Sequence, residues 1–187
     1  MKLNTKIIVY VGLLAAIATI LMFFPHFPIL PAAPFLKVDF ADVPALLASV
    51  TLSPFVGIIV ELIKNLVHMT STDTGFVGEI SNFIVGSVYC LSLGLLSKYA
   101  FKNTLMNKKL LWLLPISIVI QTFVAMLSNY FIIAPMYFGA NSEKIMEFVI
   151  YSAIPFNLIK GALQAVVFYL LYRGIYPYIK KNMYLFK

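Results

Sequence analysis

Long apolar runs recur along this chain, broken by short polar or proline-rich segments, and this pattern constrains the fold more than any motif does. A helix of about 18 or more such residues can cross the hydrocarbon core of a bilayer, whereas a signal peptide or single anchor would account for one run only. Of the residues, 61% are hydrophobic and 11% charged. A soluble domain carries about 25% charged residues, so the excess here has no soluble core to enter. The chain reads as an all-α, polytopic membrane protein. Its 187 residues suffice for one integral-membrane domain, 1–187, and leave no room for a soluble catalytic domain.

The breaks between runs predict helices near 7–24, 42–52, 55–70, 79–98, 110–134 and 147–172, the second being short for a span. Six crossings return the chain to the side on which it starts. If that side is the cytoplasm, it carries Lys2, Lys6, Lys98, Lys102, Lys108, Lys109, Arg173, Lys180, Lys181 and Lys187, ten of the fourteen basic residues. The outer side carries only Lys37 and Lys144, and Lys64 and Lys160 fall within spans. Cytoplasmic segments are enriched in Lys and Arg, so the bias predicts a six-helix bundle with both termini cytoplasmic. The same placement reads the net charge of +7 as basic clusters facing anionic lipid, and argues against nucleic acid as a partner.

Between the first two helices lie Pro25, Pro28, Pro31 and Pro34 with no glycine. Each proline lacks a backbone donor and turns its predecessor away from helix, which predicts a stiff, extended outer loop. Its apolar content suits packing over the mouth of the bundle or lying flat at the membrane interface. Neither an internal repeat nor an inverted similarity between the two halves is visible.

Polar residues inside the spans are the informative ones, because an ionisable group in lipid is costly unless paired or hydrated. Glu61, Lys64, Asn65 and His68 fall at steps of three and four, on one face of the third helix. Glu79, Asn82 and Gly86 repeat the pattern on the fourth, Gln121, Ala125, Ser128 and Asn129 on the fifth, and Asn157, Lys160, Gly161 and Gln164 on the sixth. Most of these lie towards the outer half, the arrangement of an outward-facing solute pocket, although polar stripes also serve as hydrogen-bonding glue between helices. Glu61 and Glu79 balance Lys64 and Lys160, and no arginine falls within a span. That balance favours an uncharged or zwitterionic solute over a phosphorylated one.

Other chemistries lack their signatures. His26 and His68 stand alone without metal-ligand spacing, and no Gly-x-x-x-x-Gly-Lys-Ser/Thr or Gly-x-Ser-x-Gly sequence occurs. The chain is therefore not expected to be an enzyme, to carry a cofactor or metal, or to hydrolyse ATP. Energy for active transport would come from an ion gradient or from another protein. Cys90 reads as a small buried hydrophobe.

Three segments carry a resemblance: Pro34-Phe35-Leu36-Lys37-Val38-Asp39-Phe40-Ala41-Asp42-Val43-Pro44-Ala45-Leu46-Leu47, Lys64-Asn65-Leu66-Val67-His68, and Thr74-Gly75-Phe76-Val77-Gly78-Glu79-Ile80-Ser81-Asn82-Phe83. In these motifs, their order and the number of spans, the chain resembles the riboflavin-specific substrate-binding (S) component, RibU type, of energy-coupling factor (ECF) transporters. The resemblance implies a bacterial cell-membrane protein that captures riboflavin as transported ligand and docks on a transmembrane coupling protein with two ABC ATPase subunits. It also implies that the proline-rich loop closes over the pocket. Within the motifs it points to Lys64, Asn65, Glu79 and Asn82 as substrate-binding residues. Asn129 and Lys160 extend the set from their polar stripes. S components present small residues on the first helix to the coupling protein, often as Ala-x-x-x-Ala. Here the pattern is Gly12-x-x-x-Ala16 overlapping Ala15-x-x-x-Thr19, and intramolecular packing would use the same spacing. An S component for another vitamin, or a self-sufficient small secondary carrier, is the alternative.

Overall fold

The computed structural model describes residues 5–99, 106–140 and 142–181; Lys2, Lys102 and Lys187 of the charge count lie outside them. Helix α1 (Thr5–Phe23) turns Leu14, Ala18 and Met22 inward and Ile8, Leu13, Ile17 and Ile20 outward. The chain then crosses the bundle end through a two-residue ribbon in which β1 (Phe27–Pro28) pairs antiparallel with β2 (Lys37–Val38). Next come α2 (Asp42–Thr51), α3 (Pro54–His68), a 3₁₀ turn (Met69–Ser71) and α4 (Val77–Tyr99). Helix α5 (Met106–Ser128) runs through a π-helical turn (Asn129–Ile133) into α6 (Ala134–Phe138). Helix α7 (Lys144–Phe148) runs likewise through a second π turn (Val149–Ala153) into α8 (Ile154–Lys181).

The segments form six helical rods, as the hydropathy pattern predicts. Four are long and apolar enough to cross a membrane: α1, α4, the α5–α6 rod and the α7–α8 rod. The short pair α2 and α3 is an antiparallel hairpin. Ser53 breaks the path with an extended backbone, and Pro54 opens α3 where a missing N–H costs nothing. Gly57 lets the two helices touch, since a Cβ there would fall 2.8 Å from the Ala45 carbonyl oxygen and from Ser49 Cβ. Eight of the ten α2 residues are buried, so protein rather than lipid surrounds this helix and its short length leaves no span exposed.

The far end of the bundle is a dry core of Leu46, Tyr89, Leu93, Leu110, Leu113 and Phe168. In a bilayer the alternative to such packing is lipid rather than water, so close fit and dispersion hold this core together, with α2 packed against α1, α3, α4 and α8. Cys90 belongs to this core and its carbonyl accepts a 2.5 Å hydrogen bond from Ser49.

Two helices run past their expected ends. The fifth helix does not stop at 134, because the π turn passes Pro135 into the start of α6, where its missing N–H is tolerated. The sixth begins at Lys144 and continues to Lys181, past the apolar run. Met22 and Phe23 at the end of α1, and Asn157 and Lys160 near the start of α8, line one cavity. Helix α1 therefore runs towards that cavity and α8 away from it, so the start of α1 and the end of α8 lie towards the same end of the bundle.

Candidate solute-binding site

The cavity encloses about 300 Å³, at the small end of the range for organic ligands. Helix α4 contributes Asn82 and Val85, the α5 rod Gln121, Asn129 and Ile133, and α8 Phe156, Asn157, Lys160 and Gln164. Its floor is Asp39 and Asp42, and Phe35, Leu36 and Lys37 of the proline-rich loop close it from above. The loop thus packs over the mouth of the bundle. Both π turns border the cavity through Asn129, Ile133 and Ala153.

The asparagines share one local device. Asn65, Asn129 and Asn157 each donate a 2.8 Å hydrogen bond to the carbonyl four residues earlier, on Glu61, Ala125 and Ala153. That bond fixes the side chain against its own helix, and at Asn129 and Asn157 it leaves the amide oxygen for a ligand. Gln121 reaches the Asn157 carbonyl at 3.4 Å, in a space that a Cβ on Gly161 would fill.

Beneath these amides lies a buried ionic network. Lys160 Nζ donates to Asp39 Oδ2 at 3.1 Å and lies 3.8 Å from Asp42 Oδ2. Lys64 hydrogen-bonds Asp42 and lies 2.8 Å from Glu61 Oε2. Gln164 joins the ends, donating to the Asp39 carbonyl at 3.1 Å and to Asp42 Oδ2 at 2.7 Å. Glu61 fits between α3 and α4 because residue 86 is glycine: a Cβ there would stand 2.4 Å from Glu61 Oε2. In a low-dielectric interior such charges persist only when mutually paired.

The structure brings Glu79, Asn82, Asn129 and Lys160 to the cavity wall, but not Lys64 or Asn65. Lys64 is fully buried behind Asp42, and Asn65 is turned onto its own helix, so both stand one layer back. Both carboxylate oxygens of Glu79 are occupied: Oε1 lies 2.7 Å from His68 Nδ1, and Oε2 accepts from Thr72 at 2.9 Å and Thr74 at 3.0 Å. Glu79 thereby ties down the α3–α4 loop.

Sequence reasoning passed over Asp39 and Asp42. They stand in the first motif as loop and helix-start residues, yet both are buried, since the ribbon dips into the bundle. The expected charge balance of two acids against two lysines is corrected around the cavity: Asp39, Asp42 and Glu61 are buried with Lys64 and Lys160, and the buried Glu79 is partnered by His68. Two acids inside an otherwise apolar stretch were the signal. The correction strengthens the argument against an anionic solute.

On α1, Gly12 and Ala16 face outward, while Ala15 is 3% exposed and packs in the core. Thr19 is half-buried and its hydroxyl donates to the Ala15 carbonyl at 2.8 Å. Of the small-residue pattern, Ala15 is thus corrected to an internal packing position, because it falls with Leu14 and Ala18 on the buried stripe of α1, whose edge runs between residues 15 and 16.

A membrane-spanning helical bundle with an amide-lined cavity, internally paired charges and a loop across its mouth defines a solute-binding transport subunit. Residues 6–172 match the family model described as ECF transporter, substrate-specific component, and the chain belongs to that family. This is a family of transport components, not of enzymes. The chain is 38% identical over 191 aligned residues to the riboflavin transporter RibU of Staphylococcus aureus (strain TCH60), covering 96% of this chain and 97% of that one. It is 34% identical to the riboflavin transporter FmnP of Bacillus subtilis (strain 168), with the same coverage of 96% and 97%. Among solved structures, one described as the S component of a bacterial ECF transporter superposes with a TM-score of 0.79 at 36% identity, covering 94% of this chain and 98% of that one.

Proposed function

We propose that this chain is the riboflavin-capturing subunit of an ECF-type importer in a bacterial cell membrane, with residues 1–187 acting as one integral-membrane domain. The observation that carries the reading is the cavity: amides face it, its charges are already paired with one another, and no arginine lines it. Riboflavin has a uracil-like edge that donates and accepts hydrogen bonds, an apolar dimethylbenzene edge and an uncharged polyhydroxyl chain. Asn82, Gln121, Asn129, Asn157, Lys160 and Gln164 meet the polar atoms, and Val85, Ile133 and Phe156 the apolar edge. Lys64, Asn65 and Glu79 support that set from behind and from the rim. The names of the relatives point to the same solute.

Orientation follows from the basic bias: ten cationic residues on one side and two on the other support cytoplasmic termini, hence a cavity that opens outward. Having no P-loop, the chain relies on partners for energy, a transmembrane coupling protein and two ABC ATPase subunits. Gly12 and Ala16, with Thr19 at the edge, form the docking face.

Protein purified from rich medium should retain a flavin with its visible absorption and quench its fluorescence. Vesicles holding this chain alone should bind riboflavin without accumulating it, and accumulation should appear with the coupling protein, the ATPases and ATP. Saturable binding of another vitamin with none of flavin would overturn the solute assignment. Gradient-driven uptake by the chain alone would overturn the partner dependence.

A further inference from the structure

The ionic network beneath the cavity does not balance. Asp39, Asp42 and Glu61 stand among Lys64 and Lys160, all five buried, so with every group ionised the network holds one surplus negative charge. The helices packed around it supply nothing to cancel that charge. Helix α4 adds Gly86, the Cys90 thiol and Tyr89, whose hydroxyl donates to the Gly161 carbonyl, while its Glu79 is already partnered by His68. The buried residues of α1 are apolar, and α8 reaches the network through Lys160, already counted, and the neutral Gln164.

The three carboxyl groups differ in the donors they receive. Asp39 accepts from the Ala41 amide at 2.8 Å on Oδ1 and from Lys160 on Oδ2. Asp42 accepts from Lys64 on one oxygen and from Gln164 on the other. Glu61 has no exposed surface; the Lys64 ammonium lies 2.8 Å from its Oε2 but outside hydrogen-bonding geometry, and among the described residues neither of its oxygens has a donor. Asn65 Oδ1, one turn along the same helix, is a third buried acceptor without a donor.

We propose that Glu61 is a proton-binding site: it is an uncharged carboxylic acid at neutral pH, and its proton cancels the surplus charge behind the solute cavity. Among carboxyl groups sharing one excess charge, the proton settles where burial is complete and donors are fewest. A metal cation would cancel the charge equally well, but the flanks of Glu61 are taken. Lys64 stands on one side, and Gly86 presses so closely on the other that a Cβ there would lie 2.4 Å from Oε2. With Glu61 uncharged, Lys64 is left to Asp42, which borders the cavity with Gln164, so the floor meets the solute as a balanced set of charges.

Infrared spectroscopy of the purified full chain without solute tests this, so the outcome is independent of the flavin reading. At neutral pH the spectrum should show the carbonyl stretch of one protonated carboxyl group, shifted by transfer to heavy water. Carbon-13 in the glutamate carboxyl groups should move that band and the same label in aspartate should not, an assignment that needs no variant. Glu61→Gln should abolish the band and Glu79→Gln should keep it. The absence of a band at neutral pH, a band that follows the aspartate label, or one lost with Glu79 in place of Glu61 would overturn the proposal. A sodium-specific rise in Tm that Glu61→Gln abolishes would assign the charge to a metal cation and overturn it too.

Discussion

Replacing Lys160 with methionine separates two roles that the structure superimposes on one side chain. Lys160 lines the cavity, and it also neutralises Asp39, its partner at 3.1 Å, with both residues almost fully buried. Removing one member of a buried pair leaves the other charge stranded, at a cost of about 3–5 kcal/mol, whereas removing both members is often close to neutral. Lys160→Met should therefore lower unfolding stability in detergent by about 3–5 kcal/mol. Adding Asp39→Asn should recover most of it, because Asp42 keeps its bonds to Lys64 and Gln164. Flavin affinity should behave differently. If Lys160 donates to the solute, the stable double variant still lacks that bond, and a lost hydrogen bond to a buried polar group costs about 1–3 kcal/mol, or roughly 5- to 150-fold in Kd. The assay is paired: thermal or denaturant unfolding for the fold and fluorescence titration for the site. A double variant that binds as tightly as the parent would refute the donor role. A single variant as stable as the parent would refute the structural one.

Gly86→Ala places a methyl group against the Glu61 carboxylate and should destabilise the protein by about 1–3 kcal/mol, read by unfolding in detergent; unchanged stability would show that α3 and α4 can part there. Ala16→Trp should impair uptake by the assembled transporter while leaving flavin binding within about twofold. Ala15→Trp should instead lower stability, since Ala15 faces the core. A cysteine at Ser142 should react with an impermeant thiol reagent in whole cells and one at Asn182 should not; the reverse labelling would invert the orientation. Asp73 is held below the ordinary aspartate value of 3.8, chiefly by its hydrogen bond from Lys37. The contribution of a depressed carboxylate is present above its ordinary value and lost as pH falls through the depressed one. The local stabilisation that this pair gives residues 27–38, read as their hydrogen-exchange protection factors, should thus be flat from neutral pH to about pH 5 and fall only below the ordinary value, with His68→Gln as the control for the neighbouring titratable ring.

The helical class, the six rods and the positions of their polar stripes were legible in the chain, because hydropathy and the 3.6-residue period act locally and every span must satisfy its backbone internally. The stripes carrying Asn82, Asn129, Asn157, Lys160 and Gln164 do converge on one cavity. Local periodicity also marks Lys64 and Asn65 as inward-facing, but inward is a direction and not a depth. Only the position of α2, a ten-residue helix wedged into the centre of the bundle, puts Asp42 between Lys64 and the cavity. Asp39 is further from anything a period can reveal, since its partners Lys160 and Gln164 lie 121 and 125 residues away and meet it only when the proline-rich loop folds over the mouth. The π turns escaped the pattern for the opposite reason: one additional residue per turn leaves the apolar run intact while moving the helix end past Pro135. Composition thus decided that the chain lives in a bilayer and which faces are polar, while three-dimensional packing decided which polar groups neutralise one another and which remain free to hold a solute.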